Sequence, residues 1–424
     1  MSADVVVLGL GYVGLPLAQE AARQGLRVVG LDISAPVVEQ LNAGRSHIDD
    51  LSDADIAEML AAGFQATTDE SVIDDSTAVV VCVPTPLAQD GAPDLGAVTG
   101  AVSTIARHVH PGLLVVLEST TWPGTTEEIV QPVLEGGGLE VGVDIHLAFS
   151  PERIDPGNAV YGIKNTPKVV GGVTPACTEK AAAFYSRFID TVVPAKGTRE
   201  AETSKLLENT FRHINIALVN EMARFCHELG IDLWNVIDLA KTKPFGFQAF
   251  YPGPGVGGHC IPIDPNYLSY TVRTRLGYPF RFVELAQEVN SGMPAYVTRR
   301  AQDLLNEDAK ALRGANVLLL GVTYKPNIAD QRESPAVPLA EHLLTGGANV
   351  TFHDPNVTTW HLGHDPATSR SLERVPDLDE AVRSADLVIL VQNHSSYDLD
   401  SLTSAAHRFF DTRGVTTQPE VHRL

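Results

Sequence analysis

The chain has 424 residues, more than one hydrophobic core usually organises, and its composition, 44% hydrophobic and 20% charged, is that of a globular protein and excludes a disordered one. A formal net charge of -21 argues against broad contact with nucleic acid or an anionic membrane surface, which need clustered Lys and Arg, but leaves room for an anionic small molecule in a local pocket. The opening "MSADVVVLGLGYVGL" has no basic leader, and no run of ~18 uninterrupted apolar residues follows, so a cytoplasmic location is expected.

From the start to about Thr198, short β-branched runs alternate with helical patterns. "DVVVLGL", "LRVVGLD", "TAVVVCV", "LLVVLES" and "DIHLAFS" are predicted strands, and the alternation predicts an α/β domain over residues 1–197, a parallel sheet with crossover helices. The first strand runs into Gly9-x-Gly11-x-x-Gly14, and a helix follows. Gly9 permits a tight turn, Gly11 lets the backbone approach a pyrophosphate, Gly14 lets helix pack on strand, and the helix N-terminus faces the phosphates. The next strand ends in Asp32, whose carboxylate can hydrogen-bond the hydroxyls of an adenosine ribose and would repel a 2′-phosphate, so a Rossmann site for NAD is expected. The competing reading of Asp32 is an exposed strand-end acid ahead of a helix capped by Ser34. Two later strands also end in reactive groups, where a parallel sheet delivers ligand-facing loops: "LESTTWPGTT" in hydroxyls before Trp122, and "FSPERIDPG" at Ser150 before Glu152 and Arg153. Glu152 has a plainer reading as a partner of Arg153 or a turn cap.

Between about Thr198 and Ala311 no strand is predicted. "EAETSKLLENTFRHINIALVNEMARFCHELG" keeps helical periodicity without Pro or internal Gly for about thirty residues against a mean of ~12, and predicts a long helix whose apolar stripe a second subunit would cover. Lys205 and Asn209, four apart, share one face of it, although such a lysine is more often solvent-facing. Further on stands "FYPGPGVGGHCIPIDP". Its glycines bring the backbone close to something, its prolines fix the geometry around Cys260, and Asp264 with Pro265 reads as an N-cap opening the helix "NYLSYTVRTR". A sulfur beside that helix end tends towards thiolate; a structural cysteine in a rigid loop accounts for the same residues, and both readings stand. His259 reads as a loop histidine, since no second ligand stands at metal-binding spacing and no metal is expected. Cys82, Cys177, Cys226 and Cys260 form no C-x-x-C pair, which indicates neither a zinc site nor a disulfide framework, and Cys82 and Cys226 read as small buried hydrophobes. Strand-helix alternation then resumes: "ANVLLLGV", "NVTFHDP", "ADLVILV" and "HRFFDTR" predict a second, smaller Rossmann-like domain over residues 312–424, so that two doubly wound sheets are joined by the helical middle region 198–311.

Seven stretches in order, "GLGYVGLPLA", "VCVPTP", "ESTTWPGTT", "SPERIDPG", "KLLENTFRHINIALVNE", "PGPGVGGHCIPIDP" and "GVTYKPNIADQRESPA", make the chain resemble the nucleotide-sugar 6-dehydrogenases of the UDP-glucose and GDP-mannose dehydrogenase family. Within it, "ENTFRHINIALVNE" and "GGHCIPIDP" are similar to the branch acting on UDP-N-acetylhexosamines, and Ile263 stands where UDP-glucose enzymes typically have lysine. "SPERIDPG" with "HCIPIDPNYL" is closer to enzymes for UDP-N-acetylglucosamine; UDP-N-acetylmannosamine, UDP-N-acetylgalactosamine and UDP-glucose are the alternatives, and a non-catalytic nucleotide-sugar sensor is the reading from another class.

The resemblance implies oxidation of the sugar C6 from alcohol through aldehyde to carboxylate with two NAD in succession, as a homodimer or higher homo-oligomer, supplying an acidic sugar for capsule or a similar surface polysaccharide. It implies Cys260 as the nucleophile that forms a thiohemiacetal and then a thioester, Lys205 as the cation stabilising oxyanion character, Asn209 as an orienting amide, Asp264 and Thr121 as holders of a catalytic water, and Glu152 as the acid-base group. Cofactor contacts fall on Gly9, Gly11, Tyr12, Val13, Gly14, Asp32, Pro84, Thr85, Thr121 and Arg332. Substrate contacts fall on Glu152, Arg153, Lys205, Asn209, Phe250, Tyr251, Gly253, Gly257 and Lys325, with Asp330 in the same "YKxxxxDxRES" segment as Lys325 and Arg332. An arginine from a neighbouring subunit is also implied, for which Arg281 is carried as a guess.

Overall fold

The computed structural model describes residues 3–48, 50–87, 92–154, 160–258, 261–363 and 370–424. By internal contacts the chain divides into two units, Met1–Glu208 with Asn266–Tyr278, and Asn209–Pro265 with Pro279–Leu424.

In the first unit, eight strands form one sheet: β1 (Val5–Leu8), β2 (Val28–Leu31), β3 (Gln65–Thr67), β4 (Ala78–Val81), β5 (Leu114–Leu117), β6 (His146–Phe149), β7 (Lys168–Gly172) and β8 (Val192–Pro194), in the order β3-β2-β1-β4-β5-β6-β7-β8. β1, β4 and β5 are buried at every position, which is why each reads as an unbroken apolar run and not as an alternation. Helices Gly14–Arg23, Gly96–His108 and Pro175–Tyr185 follow strands, the last of them capped by the Thr174 hydroxyl, which accepts from Cys177 N–H. The strand order reverses between β1 and β4, the switch point at whose carboxyl ends open α/β sheets bind ligands. One expectation needs correcting: the sheet is not wholly parallel, because β7 pairs antiparallel with β6, Ala148 opposite Gly172, before β8 runs parallel to β7.

The second unit holds β9 (Asn316–Leu320), β10 (Asn349–His353), β11 (Thr359–Leu362), β12 (Arg370–Glu373), β13 (Leu387–Leu390), β14 (Phe409–Asp411) and β15 (His422–Arg423). Five of these make a parallel sheet in the order β10-β9-β13-β14-β15, and β11 and β12 form an unforeseen antiparallel pair. β9 and β13 form its middle, Val317 to Leu320 against Leu387 to Leu390. Between Thr198 and Ala311 the described residues contain no strand. The long helix runs over Thr198–Glu228, and the chain passes along it from the first unit into the second. Among the described residues no helix is long and apolar enough to cross a membrane.

Candidate functional site

The dinucleotide loop follows directly from β1. Gly9 has φ 94°, and a Cβ there would stand 2.7 Å from the Cys82 carbonyl oxygen, so only glycine makes this turn without strain. A Cβ on Gly14 would meet Gly9 O at 1.9 Å, whereas one on Gly11 would meet nothing within 4 Å; the first glycine closes the turn, the last seats the helix, and the middle one leaves open space. No side chain caps the helix that begins at Gly14, and although Leu15 N–H donates to Gly11 O and Pro16 has no N–H, the positive end of the helix suits a phosphate. Asp32 braces this loop. Its Oδ2 accepts from Leu10 N–H and its Oδ1 from Ser34 N–H, both at 2.9 Å, and each oxygen keeps a lone pair for a ribose hydroxyl. Ser34 does cap the next helix, accepting from Val37 N–H. Tyr12 and Val13 pack, half-buried, against the core of this sheet. Thr85 and Pro84 follow Cys82 at the end of β4; the buried Tyr267 donates its hydroxyl to Thr85 O at 2.7 Å, and its ring lies 6.5 Å from that of Trp122. These residues fit a dinucleotide.

Thr121 comes off β5 with 1% of its surface exposed, and among the described residues its Oγ1 has no hydrogen-bond partner, a position that suits a bound water. The loop carrying it is held by Glu202 on the long helix, whose Oε2 accepts from Gly124 N–H at 2.5 Å and whose Oε1 accepts from Thr126 N–H at 2.9 Å and Thr126 Oγ1 at 2.7 Å.

Glu152 and Lys205 are brought together within the first unit. Lys205 Nζ donates to the Glu152 carbonyl oxygen at 3.0 Å, so the lysine is buried and not solvent-facing. Glu152 Oε1 accepts from Ile154 N–H at 2.5 Å, and Oε2 lies 3.7 Å from Lys168 Nζ. The suggested Glu152–Arg153 pairing is not made: Arg153 Nη2 pairs with Glu208 at 2.9 Å and its Nη1 donates to Pro167 O. Behind Glu152 stands a buried set that the motifs did not single out. Lys168 Nζ lies 2.9 Å from Glu118 Oε2, and Tyr185 donates its hydroxyl to Glu118 Oε1. Burial works against charge on Lys168, but Glu118 and then Glu152 outweigh it and raise its pKa above the ordinary lysine value. Cys82 borders this set. Burial and then the Glu118 charge push its thiol well above the usual range, and it packs as the inert hydrophobe expected, as does the buried Cys226.

The second unit carries the other half of the implied residues. His259 and Cys260 lie outside the described residues, as do residues 155–159 of "SPERIDPG". On the near side of Cys260 the glycine loop is packed against protein. A Cβ on Gly257 would stand 2.7 Å from Glu333 O and from Tyr324 Cβ, and one on Gly253 would stand 3.1 Å from Arg413 Nη1. Gly258 N–H donates to Arg332 O at 3.3 Å, and Gly253 N–H donates at 2.9 Å to Asn220 Oδ1 in a buried chain that continues through Asn290 to the His213 carbonyl. The glycines expected beside substrate therefore make close approaches to Tyr324, Glu333 and Arg413. Phe250 sits edge-on to Phe211 at 5.6 Å, and Tyr251 stacks on Trp234 at 6.0 Å. Beyond Cys260 the helix Asp264–Thr271 includes Asp264 in its first turn instead of starting after it, which corrects the cap assignment. Asn209 Nδ2 donates to Asp264 Oδ2 at 2.6 Å, so two residues 55 apart in sequence meet as a pair.

Lys325 sits on a loop clamped from beneath. His394 Nδ1 accepts from Asn327 N–H at 3.0 Å, which leaves the ring proton on Nε2 to be donated to Asp354 Oδ2 at 2.9 Å. Burial favours the neutral acid, but hydrogen bonds from His394 and Val322 N–H outweigh it and hold Asp354 below the usual carboxylate range. Thr323 Oγ1 donates to the Lys325 carbonyl at 2.8 Å. Arg332 folds onto Asp330, Nη2 to Oδ2 at 2.6 Å. Arg281 is exposed at the start of the helix Arg281–Ser291.

Models of the UDP-glucose/GDP-mannose dehydrogenase family match three parts of the chain: the NAD binding domain at residues 3–189, the central domain at 199–292 and the UDP binding domain at 318–418. The chain is 34% identical to the UDP-N-acetyl-D-mannosamine dehydrogenase of Pyrococcus horikoshii over 424 residues, 98% of this chain and 97% of that one. It is 32% identical to the enzyme of the same name from Salmonella typhi over 436 residues, 97% of this chain and 98% of that one. The solved structure of the UDP-D-ManNAc dehydrogenase from Pyrococcus horikoshii superposes with a TM-score of 0.88 at 32% identity, covering 99% of this chain and 97% of that one.

Proposed function

Because the chain belongs to the UDP-glucose/GDP-mannose dehydrogenase family, as an NAD-dependent UDP-sugar dehydrogenase, we propose that it oxidises the C6 hydroxymethyl of a UDP-N-acetylhexosamine to the carboxylate. The names of its relatives favour UDP-N-acetylmannosamine over the UDP-N-acetylglucosamine expected from the motifs, and the former is the substrate proposed. The glucosamine epimer is retained as the second reading on the strength of "SPERIDPG" and "HCIPIDPNYL". The proposed domain limits are 1–197 for NAD, 198–311 for the helical middle and 312–424 for the UDP end of the substrate.

The observation that supports this chemistry most is the Lys205–Glu152 contact, a cation and a carboxylate-bearing residue held together just past the end of β6. Bound NAD supplies the hydride acceptor. Lys205 stabilises the oxyanion character that develops at C6. Cys260 adds to the aldehyde to form a thiohemiacetal, loss of a second hydride to NAD gives the thioester, and water whose proton Glu152 accepts cleaves it. Thr121 and the Asn209–Asp264 pair are the groups that the resemblance assigns to holding that water, with Lys325 and Arg332 proposed to hold phosphate or carboxamide oxygens.

The test is incubation with NAD and each of the UDP-N-acetylmannosamine, -glucosamine and -galactosamine epimers and UDP-glucose, reading NADH yield and product mass. About two NADH per sugar with formation of the uronate is the expected result for the true substrate. One NADH with accumulating aldehyde, or none with any sugar, overturns the reading.

A further inference from the structure

Lys168 is a buried cation that the chemistry described above does not use. It opens β7, 6% exposed, and its ammonium lies between two carboxylates, 2.9 Å from Glu118 Oε2 and 3.7 Å from Glu152 Oε2. Glu118, 1% exposed at the end of β5, already neutralises it, and Tyr185 fixes the other oxygen of Glu118 from the helix Pro175–Tyr185. The Tyr185 ring lies 5.2 Å from the ammonium, leaving it little freedom to swing away.

Glu152 is thereby gripped at three atoms: its carbonyl by Lys205, Oε1 by Ile154 N–H, and Oε2 by the field of Lys168. A carboxylate that takes a proton from water must present one oxygen in a fixed direction and remain able to accept. The Ile154 N–H fixes the direction of Oε1, and the Lys168 ammonium, 3.7 Å from Oε2, holds the other end of the carboxylate.

Resting on the dehydrogenase reading given above, we propose that Lys168 is a positioning residue for thioester hydrolysis, anchored by Glu118 and Tyr185 so that its ammonium holds Glu152 in place as the proton acceptor. In that step a water oxygen bonds to the thioester carbonyl carbon and one water proton passes to Glu152. The C–S bond then breaks, Cys260 leaves as thiolate and is reprotonated, and the sugar carboxylate is freed without change of oxidation state. Among the described residues, the charged and titratable groups around Glu152 are Lys168 from β7, Glu118 after β5, Tyr185 from its helix, Cys82 after β4, Lys205 from the long helix, and Arg153 with Glu208.

A buried ion pair invites a purely structural reading, which a set of full-length variants separates from this one. Lys168→Met should still form NADH in the first turnover, while kcat falls about 10²-fold and protein carrying covalently bound sugar accumulates in the mass spectrum. Lys168→Met with Glu118→Gln removes both buried charges; it should regain the wild-type unfolding midpoint in urea but not the hydrolysis rate. Lys168→Arg, which keeps the charge, should fold and retain at least about a tenth of kcat. Recovery of kcat together with stability in the double variant, or a folded Lys168→Arg as slow as Lys168→Met, overturns the proposal. Failure of the underlying dehydrogenase reading shows separately, as wild-type protein that yields fewer than two NADH per sugar.

Discussion

A carboxylate held at both oxygens differs chemically from one on an open surface, and Glu152, with Oε1 on Ile154 N–H and Oε2 3.7 Å from Lys168 Nζ, is of the first kind. Cys260→Ala should reduce NADH formation by on the order of 10³-fold or more while NAD affinity, read by fluorescence titration, stays unchanged, because the dinucleotide loop is built entirely from the first unit. At this scale the sequence was informative where a residue type has one physical use. Gly9 at φ 94° and Gly14 against Gly9 O are such cases, and so is the Ser34 cap. It was uninformative for Lys168 and Glu118, since a lone charged residue ordinarily reads as solvated; only β5, β7 and the Tyr185 helix coming together buries them. Breaking that pair on one side alone should cost about 3–5 kcal/mol.

Elements impose a second level of constraint. The glycine loop before Cys260 lies on the segment that carries Tyr324 and Glu333, so Gly257→Ala, with its Cβ 2.7 Å from backbone and side chain, should lose about 1–3 kcal/mol of stability in urea unfolding and most of its activity. The first turns of the long helix hold the Thr121 loop through Glu202. Burial raises this carboxyl from 4.5 to about 7, against the lowering effect of its hydrogen bonds from Thr126 and Gly124. A folded value above the unfolded one means that the stability tied to the protonated form is full below about 4.5 and is lost as the pH rises through about 7, a swing of about 3 kcal/mol. Unfolding of Glu202→Gln, measured beside wild type from pH 5 to 8, should therefore improve relative to wild type as pH rises; a constant difference would contradict the assignment. The long apolar strands and the long helix were legible because burial on both faces, or a sustained stripe, leaves a continuous pattern. β3, β12 and β15 were not: "QAT" and "RSLE" carry little apolar signal, and β15 spans two residues. The antiparallel direction of β7 is not encoded in "KVVGG" itself, whose pattern suits either direction.

For the whole molecule, Phe211, Leu218 and Phe225 stand seven residues apart on the long helix and are all exposed, Leu218 by 54%, an apolar line that a second copy of the chain would cover. Leu218→Glu should convert the homodimer that the resemblance implies to monomer in sedimentation velocity at micromolar concentration. The fold class was legible at this scale and the way the units share the chain was not, because Asn266–Tyr278 returns to the first unit from within residues otherwise belonging to the second. That return places Tyr267 against the Thr85 carbonyl and pairs Arg275 with Glu128 at 2.6 Å. On the ribosome, the dinucleotide unit must therefore wait for some sixty further residues after Glu208 before its last piece emerges. A fragment cut at the end of the long helix would be made without its buried tyrosine, so the protein cannot be dissected into working halves by a single break in the chain.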